Sequence, residues 1–136
     1  MTAYISLSYS KRKSADLVIN AIAETLRELG IMPVIFVDLY KFDISKEKEM
    51  MQQAMVDINA CDFLIAEVSE KAIGVGVEAG YAKGIGKPVI YVRRKDAEHS
   101  TTVAGISDYQ VVFENVKDLQ SQLLSVINCI NENRDL

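Results

Sequence analysis

The sequence predicts a doubly wound α/β domain, with helices covering both faces of a five-stranded parallel sheet. Three observations predict it. Short runs such as Phe63-Leu64-Ile65-Ala66 and Val89-Ile90-Tyr91-Val92 are apolar on both faces, as strands buried on both sides must be. They alternate with longer segments whose apolar residues recur at helical spacing. Each junction carries turn or cap residues, and strands alternating with helices close into a parallel sheet through right-handed crossovers. The 136 residues suffice for one domain, 1–136, with a core of its own and are too few for two.

The elements follow in order. Residues 3–9, AYISLSY, read as the first strand, followed by a basic loop, Ser10 to Lys13. Ser14 is placed to cap the first helix, with Asp16 in its first turn and Val18, Ile22, Leu26 and Leu29 on one face. Gly30 ends that helix, and 31–37 form a second strand in which Pro33 suits the start or an edge position. Residues 38–46 are a loop rich in charge and aromatics. Ser45 is placed to cap a helix that runs to Ala60 and buries Met51, Ala54, Met55 and Ile58. The third strand, 62–68, leads to a loop bearing Gly74 and Gly76, then a helix from Val77 to Ile85, then the fourth strand at 89–92. Residues 93–108 read as a long polar connection, 110–113 as the fifth strand, and 116–133 as a last helix packing through Leu119, Leu123, Ile127 and Ile130. This is the pattern of a flavodoxin-like (Rossmann-like) three-layer sandwich with strand order 2-1-3-4-5. Its ligand crevice lies at the carboxyl ends of strands 1 and 3.

Composition narrows the function classes. The net charge of −4 and pI near 5.0 argue against a general nucleic-acid binder. No apolar run approaches the length needed to cross a bilayer, and Met1-Thr2-Ala3 enters a strand directly, which predicts a cytoplasmic protein. Cys61 and Cys129 fit no metal or disulfide spacing and read as reduced thiols. The single histidine, His99, has no acidic cluster beside it, so neither a metal nor a cofactor is expected. No P-loop, dinucleotide fingerprint or nucleophile elbow is present.

What remains is the crevice. Tyr4, Ser6 and Ser8 face it from strand 1, and the turn from Gly74 to Glu78 faces it after strand 3. A carboxylate at a helix N-terminus is expected to stay ionised, because the helix dipole favours its charge. Such a carboxylate can attack an anomeric carbon and form a covalent glycosyl-enzyme. The plainer reading of Glu78 is a helix-stabilising acid, and that of Lys11, Arg12 and Lys13 a solvated basic loop; alternatively these cations bind phosphate near a helix N-terminus.

The stretch AEVSEKAIGVGVEAGYAKGIGKPVIYV resembles the signature of the nucleoside 2-deoxyribosyltransferase superfamily, in particular its 2′-deoxynucleoside 5′-monophosphate N-glycosidase branch. The resemblance covers most of the chain and is most specific over 60–90. It implies that Glu78 is the nucleophile on C1′, that Tyr4 positions it, and that Ser100 binds phosphate in a neighbouring subunit's site. It therefore also implies a homodimer or larger homo-oligomer. Three positions depart from the family pattern. The aspartate that protonates the leaving base falls at Ala54, a phosphate-binding serine at Ala72, and an arginine near Ser10, with Arg12 close by. Asp57, three residues beyond Ala54 on nearly the same face, is the candidate substitute acid. The opening stretch, AYISLSYSKRKSADLVINAIAETLRELGIMPVI, resembles a TIR domain, some of which cleave the N-glycosidic bond of NAD. A non-catalytic nucleotide-binding module is the third possibility.

Overall fold

The computed structural model describes residues 1–134, leaving aside the side chains of Lys11 and Ser14. Strands β1 (Thr2–Ser6), β2 (Met32–Ile35), β3 (Phe63–Glu67), β4 (Val89–Arg94) and β5 (Tyr109–Phe113) form one parallel sheet. Their order is β2-β1-β3-β4-β5, as the alternating pattern predicts. The helices are α1 (Asp16–Glu28), a single turn α2 (Phe36–Leu39), α3 (Glu47–Ala60), α4 (Ile73–Gly84), α5 (Thr101–Ile106) and α6 (Val116–Arg134).

Alternation along each strand divides the core in two. Phe63 and Ile65 of β3 pack with Ile19, Ile22 and Leu26 of α1 and with Leu119 and Leu123 of α6. Leu64 and Ala66 point the other way, to Ala54 and Ile58 of α3 and Ala79 and Ala82 of α4. Tyr4 shares this second face. It pairs with Leu64 across β1 and β3, so its side chain is directed at the layer that holds α4.

The helix ends that set this register are closed by glycine. Gly30 has φ +73, its N–H donates to Arg27 O at 3.0 Å, and Ile31 N donates to Leu26 O at 2.9 Å. Gly86 repeats the arrangement after α4, with φ +81 and bonds from Gly86 N to Lys83 O and from Lys87 N to Ala82 O. Both are Schellman motifs, whose left-handed residue only glycine adopts without strain. Pro33 lies on β2, an edge strand, where its missing N–H costs no central ladder bond.

Several boundaries differ from expectation. Strand β1 ends at Ser6, and the chain then winds through two short 3₁₀ turns, Tyr9–Lys11 and Lys13–Ala15. The cap expected from Ser14 concerns a side chain outside the described part; Ala15 holds the position before α1 and makes no side-chain cap bond. The buried stripe of α1 centres on Ile19, Ile22 and Leu26, while Leu29 is 37% exposed. Asp43, and not Ser45, caps the chain before α3, accepting from Ser45 N at 2.9 Å. The polar connection after β4 is partly folded: α5 buries Val103 and Ala104 on the α4 side, and Arg93 Nη1 donates to the carbonyls of Arg94, Lys95 and Ala97, which fixes the turn. Val103, Ala104 and Ile106 supply enough apolar surface to order what charge alone reads as loop. Cys61 is buried and Cys129 exposed, both free. Among the described residues no helix is long and apolar enough to cross a membrane.

Candidate active site

Glu78 sits where α4 passes over the carboxyl end of β1. Tyr4 donates its hydroxyl to Glu78 Oε2, and Ser6 Oγ donates to Oε1 at 2.7 Å. Tyr4 is 0% exposed and Ser6 1%, so both donors are fixed by strand packing before any ligand arrives. Their spacing of two on one strand aims both hydroxyls at the same carboxylate. Burial pushes the Glu78 carboxyl above its ordinary value, and the two hydroxyl bonds oppose that rise. The Tyr4 phenol is driven up by burial and by the Glu78 charge, so it stays protonated and remains a donor.

The sequence placed Glu78 at a helix start, ionised by the dipole, and the structure corrects this. Helix α4 begins at Ile73, so Glu78 lies in its second turn, and no acid occupies the first. The dipole's effect is confined to the first turn. What keeps the carboxylate available is the pair of hydroxyls. The same shift puts Gly74 and Gly76 inside the helix instead of in a loop. Neither has a positive φ, and a Cβ at either would meet no atom within 4 Å. Gly74 still borders the cavity as bare backbone; Gly76 does not line it.

The cavity in front of Glu78 has a volume of about 450 Å³, enough for a small-molecule ligand. Leu7, Ser8 and Ser10 form one side, with Ser8 Oγ and Ser10 Oγ 3.2 Å apart. Part of the lining is aromatic. Phe36 stands 4.8 Å from Tyr40 and 6.2 Å from Phe42, centroid to centroid, and Tyr40 and Phe42 are 5.9 Å apart. Met50, Met51 and Ala54 of α3 complete the wall. Sequence reasoning assigned this aromatic wall no role. Its signal was Phe36, Tyr40 and Phe42 falling within seven residues beside a charged loop.

The other expected site residues are dispersed. Asp57 does not line the cavity. Its Oδ1 accepts from Gln53 Nε2 at 2.9 Å, and its Oδ2 is buried without a hydrogen-bond partner among the described residues. It lies behind Tyr40, whose phenol it holds above its usual value. Arg12 is engaged by acids: Nε and Nη2 donate to the two Asp38 oxygens at 2.8 Å, and Nη1 to Asp16 at 2.5 Å. These bonds tie the loop after β1 to α2, which carries Phe36. The pairs are partly solvent-exposed, so Arg12→Ala is expected to cost no more than about 1 kcal/mol in urea denaturation. Ser100 lies away from this protomer's cavity, at the start of α5; its N–H donates to the Tyr91 hydroxyl, which also bonds His99 Nδ1 at 3.0 Å. His99 is thus exposed but hydrogen-bonded. Among the described residues no group of three or more His, Cys, Asp or Glu side chains could hold a metal.

A carboxylate held by two hydroxyls thus stands at the switch point of a doubly wound sheet and borders a cavity lined largely by apolar side chains. The family model for nucleoside 2-deoxyribosyltransferase matches residues 4–134, and the chain belongs to that family. The family resemblance read from AEVSEKAIGVGVEAGYAKGIGKPVIYV is borne out by this match. No protein of curated function matches the chain. Among solved structures it is similar to the CMP N-glycosidase BcmB of Clostridium botulinum, at 17% identity, 90% of this chain, 98% of that one and a TM-score of 0.66. It is also similar to the 2-deoxyribosyltransferase of Bacillus psychrosaccharolyticus (16%, 88% and 90%, 0.69) and to the 2-desoxiribosyltransferase of Leishmania mexicana (18%, 91% and 97%, 0.63). At these identities the likeness is one of fold.

Proposed function

We propose that the protein cleaves the N-glycosidic bond of a nucleoside or nucleoside 5′-monophosphate, passing the sugar to water or to a second base through a covalent glycosyl-glutamate. The observation that carries this reading is Glu78, held by Tyr4 and Ser6 at the head of a cavity walled by aromatic rings. Attack by a Glu78 oxygen on C1′ forms an ester and releases the base, and water or an acceptor base then opens the ester. Tyr4 and Ser6 orient the carboxylate, Ser8 and Gly74 border the sugar, and the rings take the base. We further propose a homodimer or larger homo-oligomer in which Ser100 serves a neighbouring site, to be checked by light scattering on the purified protein.

The test is a chromatographic screen against deoxynucleotides, ribonucleotides, nucleosides and NAD, scored for free base. Base from a nucleoside or nucleotide supports the reading. Nicotinamide alone moves the chain to the TIR-like activity, and silence across the panel at high protein concentration leaves a binding module. Tyr4→Phe gives a narrower test. It removes one hydrogen bond to a charged group, typically 1.5–3 kcal/mol, so kcat/KM is expected to fall about 10- to 100-fold. Losing that donor also raises the Glu78 pKa further, which moves the acid limb of the pH profile upward.

A further inference from the structure

We infer that the ligand for which this cavity is built is an N-glycoside whose base carries a positive charge, an N-alkylated purine or a pyridinium. The inference rests on the reading that the cavity holds a base, and it names the class of base. Three independent features point to it.

The first is charge. Among the described residues no Lys, Arg or His side chain lines the cavity, and the one charged side chain that does is Glu78. Arg12, a candidate phosphate-binding cation in the loop after β1, is occupied by Asp16 and Asp38. Behind Tyr40 stands a second carboxylate, Asp57, with one buried oxygen lacking a hydrogen-bond partner among the described residues. Among the described residues the one charged lining side chain is thus a carboxylate, with a second carboxylate close behind the wall, an arrangement that favours positive charge in the ligand.

The second is the wall. Phe36, Tyr40 and Phe42 all line the cavity and cluster together, with mutual centroid distances of 4.8 to 6.2 Å. Clustered aromatic faces attract organic cations through the ring quadrupole, and the attraction strengthens where water is displaced. Met50 and Met51 add polarizable thioethers beside them.

The third is what the chemistry leaves out. A neutral base departs as an anion unless it is protonated, and among the described residues no carboxyl other than Glu78 lines the cavity; on α3 the lining residue Ala54, 2% exposed, carries none. A cationic base needs no proton. Glu78 Oε attacks C1′, the C1′–N bond breaks with its electron pair going to the ring nitrogen, and the base leaves neutral. Water then cleaves the glycosyl ester, regenerating the carboxylate and releasing the sugar and one proton. The sum is cationic glycoside plus water giving neutral base, free sugar and a proton. A neutral glycoside releases no net proton, so the two classes are separable at a pH-stat.

The experiment uses the full chain. Calorimetric titration compares 1-methylnicotinamide, a permanent pyridinium, with nicotinamide, nearly the same ring uncharged. We expect the cation to bind about tenfold more tightly, the size of a desolvated cation–π contact. Tyr40→Leu and Phe42→Leu are each expected to weaken cation binding several-fold, and by a clearly larger factor than they weaken nicotinamide binding, because only the cation loses the cation–π attraction. In parallel, 7-methyl-2′-deoxyguanosine and 2′-deoxyguanosine are assayed on the acid side of neutrality, where the methylated purine keeps its N1 proton and is a cation, each rate divided by its uncatalysed rate, with one proton released per methylated base. Equal or tighter binding of nicotinamide, no cation binding at millimolar concentration, or equal loss of both ligands in the variants overturns the inference. Turnover of neutral deoxynucleosides with a larger acceleration than cationic ones overturns it while the glycosidase reading stands. Selective cation binding without release of base from any substrate does the reverse.

Discussion

Glu78→Gln is expected to abolish turnover, by at least about 10³-fold in kcat, because the residue removed is the one that forms the bond to C1′. Glutamine keeps the shape and can still meet Tyr4 and Ser6, so loss of activity without loss of fold separates chemistry from architecture. Intact-mass analysis of quenched wild-type reactions is expected to show a sugar adduct that the variant lacks. The pH dependence gives a second handle. The attacking form is the carboxylate, and burial raises the Glu78 pKa above the ordinary 4.5. Activity should therefore rise with pH along an acid limb displaced upward from the usual glutamate range. Stability moves the other way. A carboxyl whose pKa is raised on folding contributes stability that is fully present below its unfolded value and is lost as pH rises through its folded value. The glutamine variant has no such group. Its melting temperature relative to wild type should thus improve as pH climbs through that window and level off above it. A variant that releases base at the wild-type rate would remove Glu78 from the mechanism.

The fold was legible from the sequence because its signals are local and repeated. Phe63 to Ala66 and Val89 to Val92 are apolar on both faces, and only a sheet covered on both sides explains two such runs separated by a helix. Leu119, Leu123, Ile127 and Ile130 were readable as the inner stripe of α6 because a surface helix shows a single apolar face. The site was partly legible. Tyr4, Ser6 and Glu78 could be brought to one crevice from strand spacing and topology, and they do meet. Four details escaped for physical reasons. The start of α4 at Ile73 was hidden because Gly74 and Gly76 are poor helix formers whose place is decided by packing of Val75 and Ala79. Asp57 fell off the cavity wall because three residues along a helix is a rotation of about 60° away from a full turn, enough to turn it from Ala54's aspect to the back of Tyr40. Arg12 is engaged by Asp38, a partner 26 residues away that no local pattern announces. The aromatic wall needed the turn of α2, which a strand reading of 31–37 had extended through.

Ala54→Asp is expected to raise the rate of base release from neutral 2′-deoxynucleosides by about 10² or more, the lower end of what a general acid contributes. Ala54 is 2% exposed and lines the cavity on α3, so a carboxyl placed there faces the departing base with little water between. Desolvation, and the Asp57 carboxylate less than a turn further along α3, both push its pKa up. A raised pKa keeps it protonated near neutral pH, which is the form that donates. The cost is a buried polar group without a prepared partner, about 1–3 kcal/mol, visible as a lowered urea midpoint. The gain is selective by charge type: a cationic base already leaves neutral and gains nothing from a proton donor, so its rate should stay level. Rates for 2′-deoxyguanosine and 7-methyl-2′-deoxyguanosine, measured side by side on folded protein, decide the matter. A rise for the neutral substrate alone identifies Ala54 as the position that sets which bases this site can release. If neither substrate responds while the melting curve stays intact, proton delivery does not limit the reaction and the base departs by another route.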